Sequence, residues 1–127
     1  MSTNYCMLNL LKVIYLLQKN SEKYCFSNHR LNYPFLENHY SGLFYNTRVL
    51  SFYKRDGSLF STNYFDNNSS IQSSSVFRLM NIDDDSVTLL ILSFDGTNYS
   101  STNQFLTIDL KCICAIQCID DVIVNNI

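Results

Sequence analysis

The chain has 127 residues, nine basic against eleven acidic side chains and a formal net charge of −2. That length suits a single domain, 1–127, which buries roughly two-thirds of its unfolded surface and needs no covalent staple to fold. The near-balanced charge leaves no electrostatic footprint for nucleic acid or an anionic membrane, so neither is expected as a partner.

The first apolar run, Met7 to Leu17, contains Lys12 and falls well short of the roughly 20 residues a membrane span requires. A secretory signal would place its charge before the apolar core and small residues after it, whereas here Gln18-Lys19-Asn20 follows. No export signal is therefore expected. Met7, Leu10, Leu11, Ile14 and Leu17 recur at three and four residues, which predicts a helix over 4–20 with Ser2, Thr3 or Asn4 as its cap. Leu8, Val13, Tyr15 and Leu16 lie off that stripe, so the helix is apolar over more of its girth than one sheet can cover. It is expected either to be deeply buried or to meet a second subunit. Residues 21–46 hold Cys25, His29, His39 and the one proline, Pro34, without a clear period, and read as an irregular connection.

From residue 47 the pattern changes to aromatic and β-branched runs separated by turns, as strands require. Thr47 to Arg55 and Ser58 to Phe65 flank Asp56-Gly57, a strong hairpin signal because glycine accepts positive φ. Asn67 to Ser75 reads as a polar surface loop. Val76 to Ile82 and Val87 to Phe94 flank a second turn, Asp83-Asp84-Asp85-Ser86. Asp95-Gly96 and the polar residues 97–103 lead into a long strand over 104–119, and a turn at Asp120-Asp121 precedes Val122 to Val124. Consecutive strands on short turns predict a mainly β fold: an antiparallel two-layer β-sandwich of about six strands over 47–124, with one N-terminal α-helix.

Within the long strand, Leu106, Ile108, Leu110, Cys112, Cys114, Ile116 and Cys118 alternate with Thr107, Asp109, Lys111 and Gln117. Period two places the first set on one apolar face, with Leu106, Ile108, Leu110 and Ile116 as core. Three thiols on one strand face, with no histidine beside them, lack the Cys-x-x-Cys spacing from which zinc and dithiol sites usually start. Cys112, Cys114 and Cys118 are thus candidate core or cross-linking cysteines. Same-face neighbours lie about 6.6 to 7 Å apart along a strand, at or beyond the usual Cα separation of a disulfide, so a bridge would go to another strand or chain. With Cys6 and Cys25 the total is five, an odd number that in an oxidising setting leaves one thiol free or paired with a neighbouring chain.

Thr107-Ile108-Asp109-Leu110-Lys111-Cys112-Ile113-Cys114-Ala115-Ile116-Gln117-Cys118 resembles the C-terminal signature of the spore coat and exosporium assembly proteins of the CotY, CotZ and ExsY type. Phe77-Arg78 with Ile82-Asp83-Asp84-Asp85-Ser86 is similar to the central hairpin of that family. Pro34-Phe35-Leu36 and Asn46-Thr47-Arg48 match shorter pieces, and residues 11–20 resemble the opening helix. The resemblance implies a structural protein of the spore surface layer, coat or exosporium, made in the mother-cell cytoplasm. It also implies assembly with copies of itself and with other coat proteins, through a hexameric ring into a two-dimensional lattice hardened by disulfides. The family is richer in cysteine, having one where Val87 stands here, and its segment corresponding to 95–103 is longer, which implies sparser cross-linking in this chain. Cys6 lies near a terminus and Cys25 in the irregular connection, so these two are the candidate intersubunit disulfide residues.

Other chemistry is less well supported. Cys25 with His29 or His39 would form a nucleophile and base only with a third, orienting group that nothing fixes. Asp83-Asp84-Asp85 lacks the glycine and later glutamate of a calcium loop and reads as a turn. Asn67-Asn68-Ser69 and Asn98-Tyr99-Ser100 fit a glycosylation pattern that matters only in a secreted protein. Three glycines are too few for a phosphate loop beside the turns at Gly57 and Gly96. No catalytic, metal or cofactor site is assigned, and no enzyme is expected. The competing reading is a small β-sandwich binding module, such as a carbohydrate binder, using exposed Tyr and Phe of residues 33–65.

Overall fold

The computed structural model describes residues 5–27, 45–125 and 127, and within the helix the side chains of residues 6–19. Helix α1 spans Tyr5–Ser27. It outlasts the expected end at residue 20 because no glycine or proline stops it: the apolar period fades there, but Ser21, Glu22 and Lys23 are compatible with continued helix. Cys25 therefore lies on the helix and not in an irregular segment. Pro34, His29 and His39 fall outside the described residues.

Seven strands follow: β1 Thr47–Lys54, β2 Thr62–Phe65, β3 Ile71–Ser74, β4 Phe77–Ile82, β5 Ser86–Phe94, β6 Tyr99–Asp109 and β7 Ile113–Val122. Five form an antiparallel sheet in the order β6-β5-β4-β1-β7, and β2 with β3 forms a separate two-stranded sheet. The fold is thus mainly β, antiparallel and sandwich-like, with one N-terminal helix, as the turn pattern predicted.

The two expected hairpin turns, at Asp56-Gly57 and at Asp83 to Ser86, both form. Gly57 takes φ +88° at the first, where its N–H donates to the Lys54 carbonyl at 2.8 Å. The Asp83 N–H donates to the Ser86 carbonyl at the second. The first hairpin is short, however. After Leu59 bridges Tyr53 and the Phe60 N–H reaches the Phe52 carbonyl, the chain leaves β1 and pairs with residues 71–74 instead. The polar loop expected over 67–75 is therefore half strand. Its serines and glutamine look like loop by composition but are held by partners Thr62 to Phe65 and by a tight turn at Asp66.

The expected strand over 104–119 is two strands. A single 3-10 turn, Leu110–Cys112, interrupts it, with the Asp109 side chain accepting from the Lys111 N–H at 2.9 Å and the Leu110 N–H bonded to the Asp85 carbonyl. This turn links β6 and β7, which lie at opposite edges of the sheet. Three residues span at most about 10 Å, so the sheet must curl until its two edges meet at this corner. Inside the curl, Leu50, Phe52, Phe77, Leu79, Val87, Leu89, Ile91, Ile108, Leu110 and Ile113 form the main core, closed by Met7, Leu8, Leu11 and Ile14 of α1. A smaller cluster of Val49, Leu90, Leu92 and Val124 covers the other face. No turn occurs at Asp120-Asp121; both residues are strand, opposite Val49 and Arg48.

Candidate assembly surfaces and the cysteines

The helix stripe that enters the core is rotated from the expected one. Met7, Leu8, Leu11, Ile14 and Gln18 are buried, whereas Leu10 and Leu17, read as stripe residues, are 43% and 48% exposed. With Val13 at 53% and Leu16 at 57% they form a continuous apolar strip on the outer face of α1. The rotation follows from Gln18, whose amide is wanted inside.

Gln18 Nε2 donates to the Leu79 carbonyl at 2.9 Å, and its Oε1 accepts from the Arg48 N–H at 3.0 Å. β1 and β4 pair through Leu50 and Phe77 alone. Continuing that antiparallel register would place Arg48 against Leu79, so the Gln18 amide occupies the next rung of the ladder where the strands splay apart. On the opposite face Arg78 fills the same gap, donating from Nε to Thr47 Oγ1 at 2.9 Å and from Nη2 to the Asn46 carbonyl at 3.0 Å. Asn46 in turn brackets the tail, donating to the Val124 carbonyl and accepting from the Val124 N–H, both at 3.0 Å. Arg48 makes a paired contact with the two Asp121 carboxylate oxygens, at 2.8 and 2.9 Å, which raises the guanidinium pKa further above its usual value. Asn46-Thr47-Arg48 and Phe77-Arg78 thus meet in one polar network that fastens β1, β4, β7 and the tail.

The cysteines do not lie where alternation put them. Cys112, Cys114 and Cys118 are all exposed, as is Cys6, and all four are free thiols. The 3-10 turn shifts the phase by one residue, so Ile113 and not Cys112 enters the core. A second irregularity follows at once: Lys54 stands opposite Ile113 and Tyr53 opposite Ala115, leaving Cys114 as a bulge whose thiol donates to the Lys54 carbonyl at 3.1 Å. Ile116, opposite Phe52, regains the core face and packs against it half-buried; Cys118, opposite Leu50, shares that face but is exposed. Of the predicted core, Ile108 and Leu110 are buried, and Leu106 and Ile116 are half-buried against the same cluster. The core reading of the three thiols is therefore set aside. The side chain of Cys25 lies outside the described residues.

A cleft of about 90 Å³ lies between Tyr15, Gln18, Lys19, Arg78, Met80 and Ile127. It is far below the several hundred Å³ usual for a small-molecule site, and its polar groups Gln18 and Arg78 already serve the strand network. Asp83, Asp84 and Asp85 form the exposed β4–β5 turn, and no group of three metal-ligating side chains occurs among the described residues. No helix among them is long and apolar enough to cross a membrane.

A family model described as spore coat protein Z matches residues 1–100. The chain belongs to that family. The match takes in α1, the Asn46-Thr47-Arg48 and Phe77-Arg78 network and the triple-aspartate turn, while β7 and its cysteines lie beyond it. The family places the chain among proteins of the spore surface layer. No curated protein and no solved structure gives a significant match.

Proposed function

We propose that the chain is a non-enzymatic structural protein that assembles with copies of itself into the ordered outer layer, coat or exosporium, of a bacterial endospore. Disulfides between subunits reinforce that layer after it has formed. The family match carries the spore-coat role. Assembly is supported by the apolar strip Leu10, Val13, Leu16 and Leu17, which a protein working alone would gain nothing by exposing. Covalent reinforcement is supported by four exposed free thiols. Partners are further copies, in a hexameric ring that tiles into a lattice, and other coat proteins. Production in the mother cell requires no export signal.

Sedimentation and negative-stain microscopy of the purified chain test this reading. Rings or sheets that grow with protein concentration and need no added ligand are the expected result. A small, monodisperse species at every concentration would overturn it.

A further inference from the structure

The two most exposed large apolar side chains among the described residues are Ile71 at 64% and Phe65 at 60%. They face each other across the β2–β3 pair and share its outer face, because Tyr64, the next residue on β2, turns inward onto the core. Their backbone is held from both sides. Gln104 accepts from the Phe65 N–H at 3.0 Å through Oε1 and donates to the Phe65 carbonyl at 2.7 Å through Nε2, in the manner of a neighbouring strand. In the turn beyond, the Asp66 carboxylate accepts from the Asn68 and Ser70 N–H groups, both at 2.9 Å, and from Gln72 Nε2 at 3.1 Å. An apolar pair on so fixed a backbone has less freedom to lose on docking.

We infer that the tip of this hairpin docks head to tail on the outer strip of α1 of a second copy, Phe65 and Ile71 on Leu16 and Val13, with Asp66 beside Lys12 and Lys19. The inference rests on the self-assembly reading above and names the contact that drives it.

Charge selects this pairing over the symmetric ones. Between residues 6 and 19 the charged side chains are Lys12 and Lys19, whereas residues 62–74 contain one, Asp66. A strip packed on its own copy would gather four lysines, and a hairpin on its own copy would set Asp66 against Asp66; hairpin on helix sets opposite charges together. Spacing agrees. Opposed residues of a strand pair stand about 4.5 to 5.5 Å apart at Cβ, and Val13 and Leu16, three apart on a helix, about 5 to 6 Å. With Phe65 on Leu16, Asp66 falls toward Lys12 and Lys19, which lie four residues before and three after Leu16 and so border it on the helix. Topology allows both surfaces to work at once. The hairpin lies beside β5 and β6, and α1 lies on β4 and β1, different strands of the sheet order β6-β5-β4-β1-β7. A head-to-tail contact leaves one free hairpin and one free strip after each step, so copies add until a ring closes.

The test is complementation in the full chain under reducing conditions, read by sedimentation velocity. A hairpin variant carries Phe65→Thr and Ile71→Thr; a helix variant carries Val13→Gln and Leu16→Gln. All four sites are exposed, urea midpoints check that each variant folds, and Ile71→Thr alone replaces the double hairpin variant should that one be less stable. Each variant by itself is expected to stay monomeric. Mixed in equal amounts they should give a 1:1 dimer and nothing larger, because one intact hairpin meets one intact strip and neither end can extend. Adding Lys12→Glu and Lys19→Glu to the hairpin variant should weaken that mixed dimer roughly ten-fold, since both cations near Asp66 become anions. Assembly of the hairpin variant as readily as the unaltered chain would mean that the strip meets its own copy and would overturn the inference. Monomers in the mixture, while the unaltered chain forms large particles, would also overturn it and leave self-assembly standing. An unaltered chain that stays monomeric at every concentration would remove the self-assembly reading and this contact with it.

Discussion

Replacing Gln18 by leucine is the sharpest test of how the sheet is held. Leucine keeps the bulk, so water gains no room, but it removes the acceptor for the Arg48 N–H and the donor for the Leu79 carbonyl. The Leu79 bond is buried and the Arg48 bond partly so. A buried polar group stranded in this way costs about 1–3 kcal/mol, with the smaller figure for the more exposed partner, so the expected loss is about 2–4 kcal/mol. Urea denaturation followed by circular dichroism reads it directly, and Leu17→Gln, on the exposed face one residue away, should change stability by less than about 0.5 kcal/mol. Gln18→Glu adds a pH signature. The ionised carboxylate still accepts from Arg48 but cannot donate to Leu79, and its burial raises its folded pKa above the unfolded value of about 4.3. The deficit of this variant is therefore full above the raised pKa and is relieved as pH falls through it, because the protonated acid recovers a donor. A loss below about 0.5 kcal/mol for Gln18→Leu, or a Gln18→Glu deficit that does not shrink between pH 7 and 5, would refute the bridging role.

Ile113→Ala should cost about 2–4 kcal/mol and Cys112→Ser almost nothing, reversing the order that simple alternation along residues 105–118 would give; urea midpoints decide between them. Ile108→Ala should also cost about 2–4 kcal/mol, while Lys111→Ala leaves the isolated fold nearly unchanged. Val13→Gln, Leu16→Gln and Leu17→Gln together should preserve the midpoint yet reduce large particles in sedimentation, and unchanged assembly would remove the strip from the mechanism. Asp56 accepts from the Ser58 hydroxyl and then from its N–H, and Asp66 and Asp95 accept backbone N–H bonds in their turns, which holds all three carboxyls below the ordinary range. Their contribution is complete above the unfolded value of about 3.9 and disappears as pH falls below it through the depressed folded values. Replacing all three by asparagine should therefore flatten the decline in urea midpoint between pH 5 and 3.

The parts of the fold that could be read from sequence are those set by local chemistry. Asp56-Gly57 and the triple aspartate specify turns through residue types that accept the required dihedrals or hydrogen bonds, and β1, β4 and β5 carry enough branched and aromatic side chains to declare themselves. What was not legible depends on partners distant in sequence. Residues 71–74 are strand because 62–65 lie beside them, and their own composition gives no sign of it. The break at Leu110–Cys112 is a sharper case. Every second residue from 106 to 118 is apolar or thiol, and period two has no means of showing that one tight turn, capped by Asp109, has displaced the phase. The one local signal was Asp109 itself, whose short carboxylate can reach the N–H two residues on, as it does at Lys111. Gln18 was missed because a glutamine at the edge of an apolar stripe looks like the end of the helix face, whereas here the helix uses it to complete a sheet.

These features bear on the order in which a coat layer would form. The core closes through Leu11, Ile14, Leu50, Phe77, Leu110 and Ile113, all almost wholly buried, and none of the four described thiols takes part in it, so the fold is expected to form in the reduced chain. The exposed thiols then sit on elements the fold has already fixed: Cys6 on α1, Cys112 on the 3-10 turn, Cys114 and Cys118 on the edge strand. Within one chain Cys114 and Cys118 are four residues apart along a strand, about 13 Å, and cannot bridge each other. For that pair oxidation needs a second molecule to bring a thiol within reach, and on the function proposed above each such bond would record a contact already made. Reducing agent should accordingly leave monomer stability unchanged while lowering the temperature at which assembled material dissociates. A monomer that loses stability on reduction would show instead that the chain closes a bridge within itself, and would reverse that order.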